Sequence, residues 1–337
     1  MEKEFNFDKE FESMMTSNNL DTVILMGHVN PDGDAAGCVM GLAHYIKVNY
    51  PQYKVMPYLA DTVDKGPRKI IKKDEMFNPF ERPNVEGKHF AAIICDNAVV
   101  SRMVGKEYYE MADATMVIDH HASNEGYGDI NYTKISEACA ENIFYILDKN
   151  SLQTAATVDV HPTAADYIYL GIIQDTAGLS RAKESTLYAA MKLQEMGVKH
   201  NVIMKTMHND TLESLQKKAF LLSKTTRAFE GKVAYVCMPE EESTEKEISY
   251  EDIHPVAEIL RDCEDIEMSF TMYEEATDEW RCSFRSDGEW IDVNELLAPF
   301  GGGGHAAAAG LKKKTDDVKG LREAILERVK ILREKKV

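Results

Sequence analysis

The chain of 337 residues contains no apolar run approaching the roughly 18 residues that a membrane span needs, so no membrane partner is expected. Its start, MEKEFNFDKEFESMM, lacks the basic opening and apolar stretch of a signal peptide. It is acidic and amphipathic instead, and the expected location is the cytoplasm. Cysteine is sparse. Cys38, Cys95, Cys139, Cys237, Cys263 and Cys282 are scattered without one Cys-x-x-Cys pair, which favours buried, reduced thiols over disulfides or zinc. Internal repeats are absent, and the one low-complexity stretch is GGGGHAAAAG at 301–310. The deficit with most consequence is positive charge: 39 Lys and Arg against 57 Asp and Glu leave a net charge of −18. Proteins that track long nucleic acid draw much of their affinity from neutralising phosphates. This chain lacks that balance, which argues against a long duplex as partner. Phosphates, if handled, must be handled locally, by metals and a few arginines, on small substrates.

What is present suits a globular protein of two domains, with 44% hydrophobic and 28% charged residues. Short apolar runs at 21–27, 53–59, 90–96 and 115–120 read as strands. Segments at 37–50, 139–150, 162–176 and 184–198 read as helices. This alternation predicts an α/β domain, a mainly parallel sheet with helices on both faces, over 1–198. Residues 199–228 read as a helical connector without a strand. Residues 229–337 change character, with a helix HPVAEILRDC, alternating strands IEMSFTMYE and EWRCSFRS, and an amphipathic terminal helix. That predicts a smaller α+β domain.

In parallel sheets, ligands bind at the carboxyl ends of strands, and acidic and histidine residues gather after the apolar runs. MGHVNPDGDAAG places His28, Asp32 and Asp34 after the first; Asp96 closes FAAIICD; Asp119, His120 and His121 close another; Asp175 ends IIQD. An EF-hand is excluded for the first group, because counting from Asp32 its twelfth position is Ala43 rather than glutamate. Asn30-Pro31-Asp32-Gly33 is also a strong turn, and each lone aspartate has an ordinary reading as a cap or turn residue. All four groups in this order point to a site for two divalent cations of the kind that hydrolyse phosphoesters.

These segments resemble the four motifs of the DHH phosphoesterase superfamily, and the second unit resembles the DHH-associated C-terminal domain, through FRS (284–286) and GGGGH (301–305). The likeness extends to HASNEGYGDINY and SEACAEN. Among subfamilies it is most similar to the bacterial nanoRNase/pAp phosphatase and cyclic-dinucleotide phosphodiesterase group. The resemblance implies that His28, Asp32 and Asp96 hold one metal ion, that Asp34, Asp96, His120 and Asp175 hold the other, and that manganese fills both. It implies that His121 faces the scissile phosphate and that Asp119 orients a ligand histidine. Arg285, Ser286, Gly302, Gly303, Gly304 and His305 would contact substrate, and Arg102 sits where related sequences place a phosphate-binding arginine. The segment DTAGLSR departs from the family pattern by one residue, which leaves Arg181 without an assigned role.

By composition alone GGGGHAAAAG would also suit a flexible linker; its place inside the second domain favours a loop that brings backbone N–H groups close to a phosphate. The expected activity is metal-dependent hydrolysis of very short nucleotides: oligoribonucleotides of two to five residues, pAp, or linear dinucleotides such as pApA. A cyclic di-AMP phosphodiesterase is the alternative, and a non-catalytic nucleotide sensor would have shown a lost ligand. A homodimer is expected from the family.

Overall fold

The computed structural model describes residues 5–60, 63–154, 162–208 and 211–334. The chain divides into two compact units, 1–209 and 210–337.

The first unit is built on five parallel strands, β1 (Thr22–Met26), β2 (Lys54–Tyr58), β3 (Ala91–Cys95), β4 (Ala114–Asp119) and β5 (Ile130–Thr133). Their order across the sheet is β2-β1-β3-β4-β5. β1, β3 and β4 are buried along their whole length. This explains their unbroken apolar sequences, since a central parallel strand has no solvated face. One face is covered by the helices Phe7–Ser17, Gly33–Asn49, Cys139–Ile146 and Ala164–Asp175. The other carries a smaller cluster of Ile24, Met26, Ile94, Val117 and Tyr58 under Tyr108 of the short helix Lys106–Met111. Because β2 and β3 lie on opposite sides of β1, the sheet reverses direction there. The carboxyl ends of β1 and β3 therefore flank the crevice where such folds bind ligands.

Two helices on the buried face meet through glycine. A Cβ on Gly37 would lie 2.5 Å from the Tyr167 carbonyl, and one on Gly171 would lie 2.5 Å from Ala140 Cβ and 2.7 Å from Asp34 Oδ1. Glycine inside a helix costs about 1 kcal/mol relative to alanine. Here the close approach it permits draws the helix ending in Asp175 against the helix that begins beside Asp34.

In the second unit six strands follow the order β10-β11-β9-β8-β7-β6. They are β6 (Thr226–Ala228), β7 (Val233–Met238), β8 (Met268–Ala276), β9 (Glu279–Ser286), β10 (Gly303–Gly304) and β11 (Ala308–Lys314). β7 and β8 are parallel and the other pairs antiparallel. One face buries Phe270, Met272, Cys282, Phe284 and Leu311 with the helices Val293–Leu297 and Val318–Glu334.

Two expectations change in detail. The segment 199–228 is not free of strand, since Thr226–Ala228 adds an edge to β7 through three antiparallel pairings. Its helices also part company, His200–His208 falling within the first unit and Leu212–Ser223 within the second. All six cysteines are free thiols; Cys263 is exposed rather than buried, beyond the last turn of the helix Val256–Arg261.

Candidate metal centre

His28 lies two residues beyond the end of β1, and the turn after it uses Asn30 in the left-handed region at φ 54°. Asp32 then caps the helix Gly33–Asn49, its Oδ1 accepting from the N–H groups of Asp34 (2.9 Å) and Ala35 (3.1 Å). The turn reading and the metal reading of NPDGD are thus both realised in one segment. Asp34, in the first turn of that helix, is completely buried. Its carboxylate crosses to the helix Cys139–Ile146 and accepts from Cys139 N (2.5 Å) and Ala140 N (2.9 Å), two donors that this helix start otherwise leaves unmatched. The helix N-terminus thereby fixes an anion in the site.

Asp96 follows β3 with φ 50°, a conformation that aspartate tolerates better than most residues. It is 3% exposed, and its Oδ1 is buried with no hydrogen-bond partner. His28 Nε2 lies 3.6 Å from Asp96 Oδ2, and His120 Nε2 lies 3.4 Å from Asp96 Oδ1. Asp175, the last residue of its helix rather than the end of a strand, puts Oδ2 3.7 Å from His120 Nε2. The donor atoms fall into three groups, each within 4.8 Å: His28, Asp32 and Asp96; Asp34, His120 and Asp175; and Asp96, His120 and His121.

The electrostatics show how crowded this arrangement is. Burial, with Asp96 nearby, lifts the Asp34 carboxyl to about 7. Burial, followed by the charges of Asp34, Asp32 and Asp96, lifts Asp175 to about 10. For the histidines burial works the other way and is outweighed. Contacts with Asp32 and Asp96 raise His28 to about 11, and Asp96 and Asp34 raise His120 to about 10. Asp96, which burial alone would push up, is held below the usual carboxylate range by His120 and His28. The carboxylates call for positive charge. A buried acceptor without a donor is costly, and an imidazole–carboxylate set of this kind fits divalent cations such as manganese.

Behind these groups lies a network that was only partly anticipated. Asp119 is wholly buried, and its Oδ1 accepts from His121 Nδ1 and from the His120 backbone N–H, both at 2.8 Å. Of the histidine pair it therefore orients the ring of His121 and holds the backbone of His120. The His120 ring instead turns its Nδ1 to the Ser136 carbonyl at 3.0 Å, which leaves Nε2 toward the aspartates. Asp119 Oδ2 accepts from Asn124 Nδ2 at 2.7 Å, and the Asp119 carbonyl accepts from Asn142 Nδ2 at 3.2 Å. Ser136 and Asn142 come from the SEACAEN region and Asn124 from HASNEG, segments that carried the likeness without an assigned task. Arg102 is exposed on the 3-10 turn Val100–Arg102, and its carbonyl accepts from Val29 N at 2.6 Å, which sets it beside the His28 loop. Arg181 follows a tight turn that puts Ala177, Gly178 and Leu179 all at positive φ.

In the second unit Arg285 lies on the face of β9 opposite Phe284, and GGGGH forms the hairpin of β10 and β11, with Gly304 N donating to Asn294 Oδ1 at 3.0 Å. Gly304 has φ 155°, and a Cβ there would lie 2.4 Å from the Ala308 carbonyl, so only glycine fits. The stretch is part of a sheet and not a linker. Gly302, Gly303 and His305 are only partly covered or exposed on this hairpin. Ser286 departs from its expected role as a substrate contact. It is 1% exposed, and its hydroxyl donates to the Ile291 carbonyl (2.8 Å) while accepting from Gly288 N (3.0 Å), so it clasps the loop after β9.

The sequence profile of the DHH family, N-terminal domain, matches residues 22–172, and that of the DHHA1 domain matches residues 230–331. The first unit therefore carries a DHH-family N-terminal domain and the second a DHHA1 domain. Among the relatives of the chain is the bifunctional oligoribonuclease and PAP phosphatase NrnA of Mycoplasma pneumoniae, 26% identical over 309 residues, a match covering 89% of this chain and 90% of that one. It is also 24% identical over 295 residues to the cyclic-di-AMP phosphodiesterase GdpP of Bacillus subtilis, covering 85% of this chain but 44% of that protein. In structure it is similar to an exopolyphosphatase-related protein from Bacteroides fragilis, with a TM-score of 0.81, 19% identity and 96% of each chain covered. That likeness concerns the fold alone.

Proposed function

We propose that this protein is a divalent-metal-dependent phosphoesterase that hydrolyses very short nucleotides: RNA fragments of two to five residues, pAp, or linear dinucleotides such as pApA. The observation that carries the proposal is the meeting of His28, Asp32, Asp34, Asp96, His120 and Asp175 at the carboxyl end of a parallel sheet, around a buried Asp96 oxygen without a donor. His28, Asp32 and Asp96 would hold one ion and Asp34, Asp96, His120 and Asp175 the other, with Asp96 common to both. Two divalent ions so held would supply a water of lowered pKa and neutralise charge that develops on phosphorus-bound oxygens.

The side chains contribute preorganisation. Cys139 N and Ala140 N fix Asp34, the Ser136 carbonyl fixes His120, and the turn at Asn30 separates Asp32 from Asp34. His121 donates through Nδ1 to Asp119, which orients its ring to serve a phosphate oxygen or the leaving group. In this reading Asp96 and His121 act at the reacting phosphate, and Asp119 sets the tautomer of His121. Arg102 is the proposed phosphate contact of the first unit, and Arg285 with the glycine hairpin are the proposed nucleotide contacts of the second. The net charge of −18 favours short substrates over long strands. Similarity to NrnA supports this choice of substrate, while similarity to GdpP supports cyclic di-AMP as a second. A cytoplasmic homodimer loaded with manganese is the state we propose for the working enzyme. The test is a manganese-supplemented assay of pAp, RNA dimers to pentamers, pApA and cyclic di-AMP at equal concentration. Efficient turnover of the short linear set supports the proposal, and turnover of none of them refutes it.

A further inference from the structure

Several lysines of this chain pair with carboxylates, among them Lys106 with Glu110, Lys183 with Glu137, Lys192 with Glu195 and Lys314 with Glu279. A carboxylate at that distance keeps an amine protonated, and a protonated amine is no nucleophile. Lys149, the first residue of the short helix Lys149–Thr154, is placed differently. Its Nζ donates to the main-chain carbonyls of Phe144 and, at 2.8 Å, Leu147, at the end of the helix Cys139–Ile146. It lies 4.5 Å from the centre of the Phe144 ring and 5.9 Å from that of Tyr145. The side chain is half-buried, and no carboxylate of the described residues forms an ion pair with it. Burial pulls its pKa down to about 8, and the charge of Asp148 offsets only part of that. Asp148 is engaged elsewhere, its Oδ1 accepting from Asn150 N at 3.1 Å and its Oδ2 from Ser151 Oγ at 2.8 Å.

An ammonium has three protons to donate. Two go to the carbonyls of Phe144 and Leu147, and the third has no oxygen or nitrogen partner among the described residues. Losing that third proton costs no hydrogen bond. It leaves a lone pair while both carbonyls keep their donors. The residue also borders a cavity of about 250 Å³, walled by Phe144, Tyr188 and Met196 together with the Lys192–Glu195 pair. That is below the roughly 300–1,000 Å³ of sites for drug-sized ligands, so the space suits a small reagent.

We propose that Lys149 is a site of acylation by small acyl phosphates, of which acetyl phosphate is the simplest. The Lys149 nitrogen attacks the acyl carbon, the bond from that carbon to the phosphate oxygen breaks, and the proton shed by nitrogen leaves with inorganic phosphate. The amide formed carries one N–H, so one of the two carbonyls loses its donor and the end of the helix Cys139–Ile146 loses a positive charge. The other end of that helix supplies the Cys139 and Ala140 N–H groups that hold Asp34. Lys192 is the internal comparison. It lines the same cavity, but its bond to Glu195 Oε2 at 2.7 Å raises its pKa. The acylation involves neither metal nor nucleotide, and so it stands apart from the proposed hydrolysis.

The full chain is incubated with acetyl phosphate between about pH 7 and pH 10, and acetylation at each lysine is followed by peptide mass spectrometry. At about pH 7.5 roughly a quarter of an amine of pKa about 8 is neutral, against about one part in a thousand at the ordinary 10.5. The weaker base is also the weaker nucleophile, which removes part of that advantage. Lys149 is therefore expected to acetylate at least about tenfold faster than Lys192 at about pH 7.5, with a rate that levels off above about pH 8–9 while that of Lys192 keeps climbing. Tyr188 is 48% exposed, so Tyr188→Ala should fold as wild type does. By opening the cavity to water it should slow acetylation of Lys149 by at least about threefold at the same pH. Equal rates at Lys149 and Lys192, the same climb with pH at both, or unchanged acetylation of Lys149 in Tyr188→Ala overturns the proposal.

Discussion

Gly171→Ala is the substitution in which this structure and a propensity argument disagree most openly. Replacing a helical glycine by alanine ordinarily stabilises by about 1 kcal/mol. At Gly171 the new methyl would meet Ala140 Cβ at 2.5 Å and Asp34 Oδ1 at 2.7 Å, against a normal carbon contact of about 3.5–4.0 Å. Neither neighbour can swing aside. Ala140 has no rotatable side chain, and Asp34 is held by Cys139 N and Ala140 N. The helix Cys139–Ile146 must therefore retreat by about 1 Å. Overpacking of this kind costs about 1–3 kcal/mol, so the net loss is about 0–2 kcal/mol. At about 2–4 °C per kcal/mol for a unit of this size, the melting temperature should fall by at most about 8 °C. The larger effect should be chemical. Displacing Asp34 by that distance would misplace a proposed metal ligand, and errors of about 1 Å can reduce rate by about 100-fold. Calorimetric melting and manganese titration of wild type and variant, with turnover of pApA alongside, measure all three quantities. A variant that melts higher than wild type and retains metal affinity and rate would refute the reasoning.

Other expectations follow from single contacts. Asp119→Asn should retain both metals by elemental analysis yet lose about 100-fold in kcat, because an amide does not hold His121 as the carboxylate does; His121→Ala should behave likewise, and loss of metal in either variant would argue against that division of labour. Asp74 accepts from His44 and Tyr167, both at 2.6 Å, and from two backbone N–H groups, so Asp74→Ala should destabilise the first unit by about 3–5 kcal/mol in urea unfolding. Although burial opposes it, the bonds from His44 and Tyr167 hold the Asp74 pKa below its ordinary value. Its contribution should therefore be complete above about pH 4 and disappear as pH falls through the depressed value, a loss that Asp74→Asn would not show. Catalytic efficiency on RNA should fall steeply from two to about ten residues and recover partly in high salt, which screens the acidic surface; equal efficiency on a twenty-residue strand at low salt would contradict the short-substrate reading.

The parts legible in the sequence share a physical cause. β1, β3 and β4 are buried on both faces, so their sequences are continuous apolar runs, and the residues that follow them stand out by contrast. His28, Asp32, Asp34, Asp96 and His120, five of the proposed ligands, are visible for that reason, whereas Asp175 ends a helix. β5, INYT, is partly exposed at the sheet edge and gives only a four-residue alternation, too short to separate from a loop. β6 is shorter still. The partners of Asp34 and His120 were invisible for another reason. They are backbone groups, Cys139 N, Ala140 N and the Ser136 carbonyl, and a backbone group carries no residue-type signal. Gly171 in the middle of an apolar helix was the available clue to that junction. Ser286 was assigned by its neighbour in the FRS motif, whereas strand alternation turns it to the side opposite Arg285, into the covered loop.

The central claim is that Asp96 joins two metal sites in one hydrolytic centre. It is tested most directly by counting ions in wild type and in Asp96→Ala after equilibration with manganese and removal of excess, with pApA turnover measured on the same samples. The account predicts two ions per wild-type chain, the loss of both in the variant, and essentially no hydrolysis by it. Full metal content and near-normal turnover in Asp96→Ala would contradict it.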